Sequence, residues 1–430
     1  MKAQSKYRWF VVGVFFVFML LHQADKLLIG PLTTPIMEHF QISRAQMGSV
    51  TTLALIVGAI CYPLWGYLYD RYARSKLLAL ASFLWGSTTW LSAIAPTFPL
   101  FRLTRASTGI DDSSYPGLYS LISDYFAPHV RGKIYGLLEL TMPIGYLLGM
   151  ILGLFLGGAI GWRGVFYITG SLGILLSLVI LFGVREPPRG QSEPELSGLE
   201  QVSTYRFNWA TARGLFRKRT LLILFIQGFF GVFPWNVIVY WFFNYLETER
   251  GYDENAVFIT MVVAVLVLAA GYPVGGALGD YFFKRTPRGR ALVAMTGVLT
   301  GAVLLTITLN IPYANQGLFL VMLAATALFI PFAAPNVIST VYDITLPEVR
   351  STALSVQYFM ESSGAALAPW IAGMIADKTS LESAMLMICV STWILCGVFF
   401  ALVAYFVPHD AGVLREQMRK RAEAEQGLAG

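Results

Sequence analysis

Long apolar stretches alternate with short polar ones along the whole 430-residue chain. A helix needs about 20 apolar residues to cross the hydrocarbon core of a bilayer, and twelve stretches are long enough. They are residues 9–30, 47–68, 77–96, 99–125, 132–160, 164–184, 220–246, 256–279, 291–310, 316–342, 351–376 and 381–407. The pattern predicts an all-α membrane protein with 12 transmembrane helices.

The composition agrees with this prediction. Hydrophobic residues make up 56% of the chain and charged residues 13%, whereas soluble domains contain roughly 25% charged residues. The three cysteines, Cys61, Cys389 and Cys396, all lie inside predicted helices, so we expect neither a disulfide framework nor a metal site. The first apolar stretch is too long for the core of a signal peptide, and we expect it to be retained.

Two short motifs occur twice in the chain. Residues 124–131 and 343–350 share the pattern D-x-x-x-P-x-V-R, and residues 66–70 and 276–280 share G-x-L-x-D. Both copies of each motif lie at the same end of a predicted helix, so the two halves have the same orientation. Parallel repeats of this kind are typical of one large class of transporter architecture.

The repeat also predicts how the chain divides into domains. We expect two six-helix bundles in parallel orientation, formed by residues 1–184 and 220–410. Residues 185–219 would form a cytoplasmic linker, because Pro187 and Pro188 cannot continue the sixth helix. The remaining residues, 411–430, would form a cytoplasmic tail.

The basic residues predict the orientation in the membrane. Lys and Arg concentrate on the cytoplasmic side of membrane proteins. With the N-terminus inside, 24 of the 31 Lys and Arg residues fall in inner segments and 4 in outer loops. We therefore expect a multi-pass protein of the plasma (inner) membrane with both termini cytoplasmic. Because topology explains the formal net charge of +6, no nucleic acid partner is expected.

A few charges remain inside the predicted helices and need another explanation. They are the cations Lys26, Arg102 and Arg105 and the acids Asp25, Asp111 and Asp112. Charge within a membrane is costly and marks pathways for protons, ions or substrates. At 1.5 Å per residue, Asp25 and Arg105 share a level in the outer half, and Asp112 lies two turns deeper. We predict that Asp112 carries a proton and that Asp25 with Arg105 gates it. A fixed ion pair that only orients two helices is the alternative.

Other polar residues in the predicted helices are candidates for a substrate cavity. They are Arg102, Trp235, Asn236, Tyr240, Asn336 and Glu361. The aromatic rings would suit an amphiphilic substrate, although packing against lipid is the alternative for many of them. Glu361 lies near mid-membrane, where it could face the cavity or form a hydrogen bond with a neighbour such as Ser362 or Ser363. Glu139 has the same two alternatives.

The loop after the second predicted helix carries a specific motif. Residues 66–74 fit G-x-L-x-D-R-x-x-R, and a partial copy ends at Asp280. This resembles the signature loop of the major facilitator superfamily. The resemblance implies that Gly66, Asp70, Arg71, Arg74 and Asp280 latch the cytoplasmic side shut. The alternative is that Arg71 and Arg74 only determine topology.

Within that superfamily, the chain most resembles Spinster-like transporters over residues 20–190. The features that carry the resemblance are Asp25-Lys26, residues 105–115, residues 143–149 and residues 185–190. Residues 105–115 resemble R-x-x-x-G-x-G-E-A-S-Y, but here Asp112 replaces Glu and Asp111 replaces Gly. The resemblance implies a lysophospholipid or sphingoid phosphate as substrate, and the second acid puts that specificity in doubt.

These observations predict a secondary active transporter that moves an amphiphilic or organic-anion solute and couples to protons. It would act as a monomer in the lipid bilayer without a cofactor. A proton-coupled organic acid or drug transporter of another branch is the first alternative. A membrane-embedded enzyme is the second, but the sequence has no His-rich metal cluster, nucleophile elbow or phosphate-binding loop. A receptor that has lost transport would not need the buried charges.

Overall fold

The computed structural model describes the backbone of residues 2–42, 44–194 and 208–429. Side chains are described for the same residues except 2–5, 27, 30, 31, 34, 44, 45, 48, 51, 112, 154, 254 and 424–429. The described chain is all-helical, as the sequence predicts. The middle of the predicted linker, residues 195–207, lies outside the described residues.

The first half of the chain forms eight α-helices within the described residues. They are α1 Lys2–Phe40, α2 Arg44–Arg71, α3 Arg74–Ile94, α4 Phe98–Ala106, α5 Thr108–Asp112, α6 Tyr115–Tyr125, α7 Pro128–Glu139 and α8 Thr141–Gly183. Helix α8 contains a break at Gly161, whose φ of 71° is a conformation that glycine adopts readily. The break separates the predicted fifth and sixth membrane spans.

The second half forms ten α-helices in the described part of the chain. They are α9 Trp209–Gly214, α10 Arg219–Gly231, α11 Phe233–Asn244, α12 Glu254–Phe283, α13 Gly289–Leu309, α14 Gln316–Phe329, α15 Ala333–Asp343, α16 Arg350–Ala376, α17 Leu381–Met385 and α18 Ser391–Ala429. Short 3₁₀ turns at Leu215–Arg217, Ile330–Phe332 and Pro347–Val349 and π-helical turns at Tyr245–Glu249 and Leu386–Val390 complete the half.

Ten helical segments in the described residues are long and apolar enough to cross a membrane. They correspond to ten of the twelve predicted spans. The two remaining predicted spans are helical at the predicted positions, but their sequences are more polar. The predicted span 99–125 is divided among α4, α5 and α6 and contains buried charge, and the span 351–376 is the continuous but more polar helix α16. Both hold polar residues for the sites described below.

Glycines allow close contact between α1 and α8. Helix α8 packs along α1, and a Cβ atom on Gly145 would lie 2.8 Å from the carbonyl oxygen of Leu20. A Cβ atom on Gly149 would overlap the backbone of Ala24 in the same way. Small residues let helix backbones approach closely in lipid. This contact brings α8 against the part of α1 that carries the buried charges.

The last helix extends beyond its predicted end at residue 407. Helix α18 continues to Ala429, so the segment predicted as a tail is helical as far as it is described. Leu414 and Met418 are buried, and Arg421 forms an ion pair with Glu348 at 2.7 Å. The extension therefore packs against the second half of the molecule.

Candidate functional site

At one end of the molecule, four helices terminate and four others begin. The first set is α2, α6, α12 and α15, and the second set is α3, α7, α13 and α16. We call this end the basic face and the opposite end the open face. At the basic face, Asp70 accepts hydrogen bonds from the backbone N–H groups of Ser351 (3.0 Å) and Thr352 (2.7 Å). These groups begin α16, where N–H groups lack helical partners and carry partial positive charge. Gly66 lets the helices approach, because a Cβ atom there would lie 2.6 Å from the Ser355 hydroxyl oxygen.

The second copy of the motif makes the equivalent contact in the opposite direction. Asp280, near the end of α12, accepts hydrogen bonds from the N–H groups of Gly132 (3.0 Å) and Lys133 (2.7 Å) at the start of α7. Arg290 lies 2.8 Å from the same carboxylate. Each aspartate therefore binds helix N–H groups of the opposite half, and both contacts cross the interface between the halves at the basic face.

The arginines of the motif act differently from its aspartates. Arg74 forms ion pairs with Asp124 (2.6 Å) and Glu186 (2.7 Å). Asp124 belongs to α6 of the first half, and Glu186 follows the end of α8. Arg71 is exposed and donates to the hydroxyl oxygen of Tyr67 one turn earlier. In the described residues, these contacts of Arg71 and Arg74 stay on one side of the interface. The aspartates therefore connect the two halves, whereas the ion pairs of Arg74 connect parts of the first half.

A carboxylate from the linker adds a third connection at the basic face. Glu193 lies 2.7 Å from Arg131 and also pairs with Arg350, and these two arginines end the two copies of D-x-x-x-P-x-V-R. Burial by itself would raise the pKa of the Glu193 carboxyl, but the two guanidinium groups outweigh burial and lower the pKa to about 2. The sequence analysis missed Glu193, because no local pattern links the linker to the repeated arginines.

The opposite end of the molecule is open. A cavity of about 1230 Å³ lies between the halves, and its lining includes Arg102, Asn236, Tyr240, Trp241 and Trp370. Arg102 comes from α4 in the first half, and the other four come from α11 and α16 in the second. Three of the predicted cavity residues, Arg102, Asn236 and Tyr240, therefore lie together. The molecule is closed at the basic face and open at the other.

Asp25 and Arg105 form a buried ion pair between α1 and α4. The guanidinium Nη1 atom lies 3.1 Å from the Asp25 carboxylate, and the two residues are 2% and 5% exposed. Thr169 donates a hydrogen bond of 3.1 Å to the same carboxylate, and Arg105 also lies over the ring of Phe166. A buried pair needs such additional partners to offset desolvation. The structure thus brings together two residues that depth along the helices predicted to meet.

A second buried group lies one turn away on α1. The His22 Nε2 atom is 2.5 Å from the Asp111 carboxylate, and the Nδ1 atom is 2.6 Å from the hydroxyl oxygen of Tyr115. The sequence analysis selected Asp111 but missed His22, although its place three residues before Asp25 on the same helix was a usable signal. Asp112 ends α5, and its side chain lies outside the described residues.

Both groups border one interior cavity. It has a volume of about 270 Å³, and its lining includes His22, Asp25, Lys26 and Arg105. The Lys26 ammonium lies 5.9 Å from the centre of the Tyr115 ring. A histidine, an acid and two cations are thus placed around a single space, which we call the charged cavity.

A second cavity lies mainly in the second half, and Glu139 of α7 lines it from the first. It has a volume of about 220 Å³, and its lining includes Gln227, Trp235, Gln357 and Glu361. Glu361 lines this cavity and also accepts a hydrogen bond of 2.9 Å from its neighbour Gln357, so it has a feature of each predicted alternative. We call this space the acceptor cavity.

Asn336 has a different environment from the other predicted cavity residues. It is buried, and its amide nitrogen donates to the carbonyl oxygens of Gly275 (2.9 Å) and Phe332 (2.8 Å). These bonds tie α15 to α12 within the second half. The geometry supports a packing role for Asn336 more than contact with a substrate.

Comparison with known proteins identifies the family. The profile of the Major Facilitator Superfamily matches residues 14–310 and again 266–426. Protein spinster of Drosophila melanogaster is 29% identical over 391 residues, covering 88% of this chain. The chain spans only 63% of that relative's length. The sphingosine-1-phosphate transporter SPNS2 of Xenopus tropicalis is 23% identical over 444 residues, with 95% of this chain and 85% of that protein covered.

Solved structures agree on the fold. The proton:xylose symporter XylE has a TM-score of 0.72 at 19% identity, covering 94% of this chain and 95% of that one. A bacterial homologue of the human lysosomal transporter Spinster, in an inward-facing conformation, has a TM-score of 0.55 at 21% identity, covering 97% and 98%. These findings confirm the resemblance seen in the sequence motifs. The chain belongs to the Major Facilitator Superfamily, whose members are secondary transporters and not enzymes, and its relatives include Spinster proteins.

Proposed function

We propose that this protein couples protons to the movement of an amphiphilic or organic-anion solute by alternating access. The observation that carries the proposal is the charged cavity, which Asp25, Arg105 and His22 line while Asp111 pairs with His22. Buried charges are expensive to keep in a membrane protein, and they mark proton and ion pathways. One buried ion pair would be enough to hold α1 against a neighbouring helix. A second buried pair one turn away on α1 therefore favours a role in coupling.

The histidine–aspartate pair is the proposed proton carrier. The His22 Nε2 atom lies 2.5 Å from the Asp111 carboxylate, and both an imidazole and a carboxylate can accept a proton. The sequence predicts Asp112 as the carrier, and variants of Asp111 and Asp112 distinguish the two acids.

The Asp25–Arg105 pair is the proposed gate. His22 and Asp25 both belong to α1, whereas their partners belong to α5 and α4. A proton that arrives at His22 and Asp111 would change the attraction between α1 and α5, and Arg105 lines the same cavity as His22. Coupling of this kind requires that the two conformations differ in their affinity for the proton.

The open cavity supports an amphiphilic solute. Aromatic rings of Tyr240, Trp241 and Trp370 provide apolar surface, and Arg102 provides a cation that would bind an anionic group. A relative whose name gives sphingosine-1-phosphate as its cargo agrees with this substrate class. We further propose that the basic face and both termini are cytoplasmic, and that the protein works as a monomer in the plasma (inner) membrane.

The experiment measures solute-dependent proton flux. Purified protein is reconstituted in liposomes that contain a pH-sensitive dye, and lysophosphatidate is added outside under an imposed pH gradient. We expect solute-dependent flux for the unmodified protein. His22→Gln and Asp111→Asn should abolish it while solute binding is retained. Glu247→Gln, at an exposed position, is the matched control and should have no effect.

Each contrary outcome has a defined meaning. If Asp112→Asn abolishes flux and Asp111→Asn does not, the proton carrier is Asp112. If uptake ignores the pH gradient in all variants, proton coupling is wrong. Uptake of a sugar acid in place of lysophosphatidate would indicate an organic acid transporter of another branch.

A further inference from the structure

The acceptor cavity has an unusual balance of hydrogen-bonding groups. Its lining includes the carboxylates of Glu139 and Glu361 and the amides of Gln227 and Gln357. Among the described residues that line it, none is Lys, Arg or His. Two acids therefore face one space between the halves without a cationic side chain beside them.

The glutamines add acceptors that have no partner. Gln357 donates its amide hydrogen to Glu361, which leaves its Oε1 atom as an acceptor, and this atom forms no hydrogen bond. The Oε1 atom of Gln227 is also without a hydrogen bond. The two residues are 0% and 5% exposed. A buried polar atom without a partner is unfavourable, and in native proteins it calls for an explanation.

The lining also contains four aromatic side chains among its aliphatic ones. Trp235, Tyr272, Tyr358 and Trp393 come from four different helices and border the same space. The faces of aromatic rings attract organic cations. An inorganic cation would use the oxygen atoms but would gain little from these rings.

We propose that the acceptor cavity binds the ammonium group of an organic amine. An ammonium group has three donors and no acceptor, which is the complement of two carboxylates and two free amide oxygens. The carbon atoms next to the nitrogen would pack against the aromatic rings. This inference rests on the proposed function and narrows it to amphiphiles that also carry an amine, whose ammonium end would lie in the space between the halves.

The site also explains the position of Glu139. Glu139 is the last residue of α7 in the first half, whereas Glu361 and both glutamines belong to the second. Tyr119 donates a hydrogen bond to one oxygen of Glu139, which orients the carboxylate. An ammonium group bound to both acids would therefore bridge the two halves.

The test is a binding measurement that does not depend on transport. Purified protein in neutral detergent is titrated with phenethylammonium, and the heat of binding is compared with those of 2-phenylethanol and 3-phenylpropionate. We expect the ammonium compound to bind and the uncharged and anionic compounds to bind much more weakly. Glu361→Gln and Glu139→Gln should each weaken binding about tenfold or more, because each removes a charged hydrogen bond.

Two controls keep this test decisive. Glu247→Gln should bind as the unmodified protein does, and Gln227→Leu, which keeps both acids, should weaken binding less than Glu361→Gln. Equal binding of 2-phenylethanol, or unchanged affinity in Glu361→Gln, would overturn the inference. Binding of Na⁺ in place of phenethylammonium would overturn it too. Proton flux without amine binding would refute this site alone, and amine binding without flux would refute only the proposed function.

Discussion

At the scale of single residues, the ion pair of Asp25 and Arg105 depends on its neighbours. Both side chains are almost completely buried, and hydroxyl groups of Thr89 and Thr169 lie within hydrogen-bond distance of the pair. A buried pair of this kind is no guarantee of stability, because desolvation offsets much of the attraction. Removing one partner is different, because it leaves the other charge buried without its counter-ion.

This contrast predicts the outcome of a double-mutant cycle. Asp25→Asn and Arg105→Gln should each lower the free energy of unfolding by about 3–5 kcal/mol, because each leaves one uncompensated charge. The double variant should lose less than the sum of the two. Thermal unfolding of the detergent-solubilised protein measures these differences. Additive losses would show that the two side chains do not interact.

At the scale of structural elements, the linker connects the two repeats through Glu193. Arg131 lies in the first turn of α7, and Arg350 is the first residue of α16. The two guanidinium groups therefore come from equivalent places in the two halves. In the described residues, the ion pairs of both arginines are with acids outside their own helices. Glu193 therefore neutralises a site at which two repeated cations meet.

The lowered pKa of Glu193 predicts how this connection depends on pH. The carboxyl has a pKa of about 2 in the folded protein and an ordinary value of 4.5. Its ion pairs therefore contribute fully above about pH 4.5, and the contribution is lost as the pH falls towards about 2. Glu193→Gln should lower the midpoint temperature of thermal unfolding at neutral pH. The difference in this temperature between the variant and the unmodified protein should become smaller in acid.

The control for this prediction is Glu416→Gln. Glu416 is an exposed residue of α18 whose partners are one turn away on the same helix, and exposed pairs contribute little. This variant should follow the unmodified protein closely at every pH. A difference for Glu193→Gln that stays constant down to about pH 2 would contradict the assigned role.

At the scale of the whole molecule, we propose that the two cross-half caps favour closure of the basic face. Asp70 and Asp280 bind N–H groups in the first two turns of α16 and α7, and both contacts would break if the basic face opened. A helix cap contributes about 1 kcal/mol. Two caps therefore bias the balance between the conformations without locking it, as alternating access requires.

Removing the caps should open the basic face. Asp70→Asn with Asp280→Asn should change the ratio of closed to open molecules about tenfold or more. Spin labels at the exposed positions 76 and 284, one in each half, would report a longer distance. Arg71→Gln is the control, because Arg71 contacts only its own half in the described residues, and it should leave the distances unchanged. Unchanged distances in the double aspartate variant would mean that the motif serves topology alone.

The sequence by itself determined the helical membrane fold and much of the candidate site. Helix length and apolar content are local properties, so the spans were readable without a structure. The repeated motifs indicated two similar halves, and position along the helices predicted that Asp25 and Arg105 would meet. The acids and cations were also visible directly, because charge is rare in such segments.

Tertiary structure decided which partner each residue has. Asp70 binds backbone N–H groups almost 300 positions away in the chain, Arg74 stays within its own half, and His22 completes a pair with Asp111. Glu193 meets two arginines from different repeats, and Glu139 lines a cavity formed mainly by the second half. Such contacts depend on how packed helices are rotated and how far they are shifted along one another. These quantities arise from packing across the whole molecule, and no local pattern in the sequence encodes them.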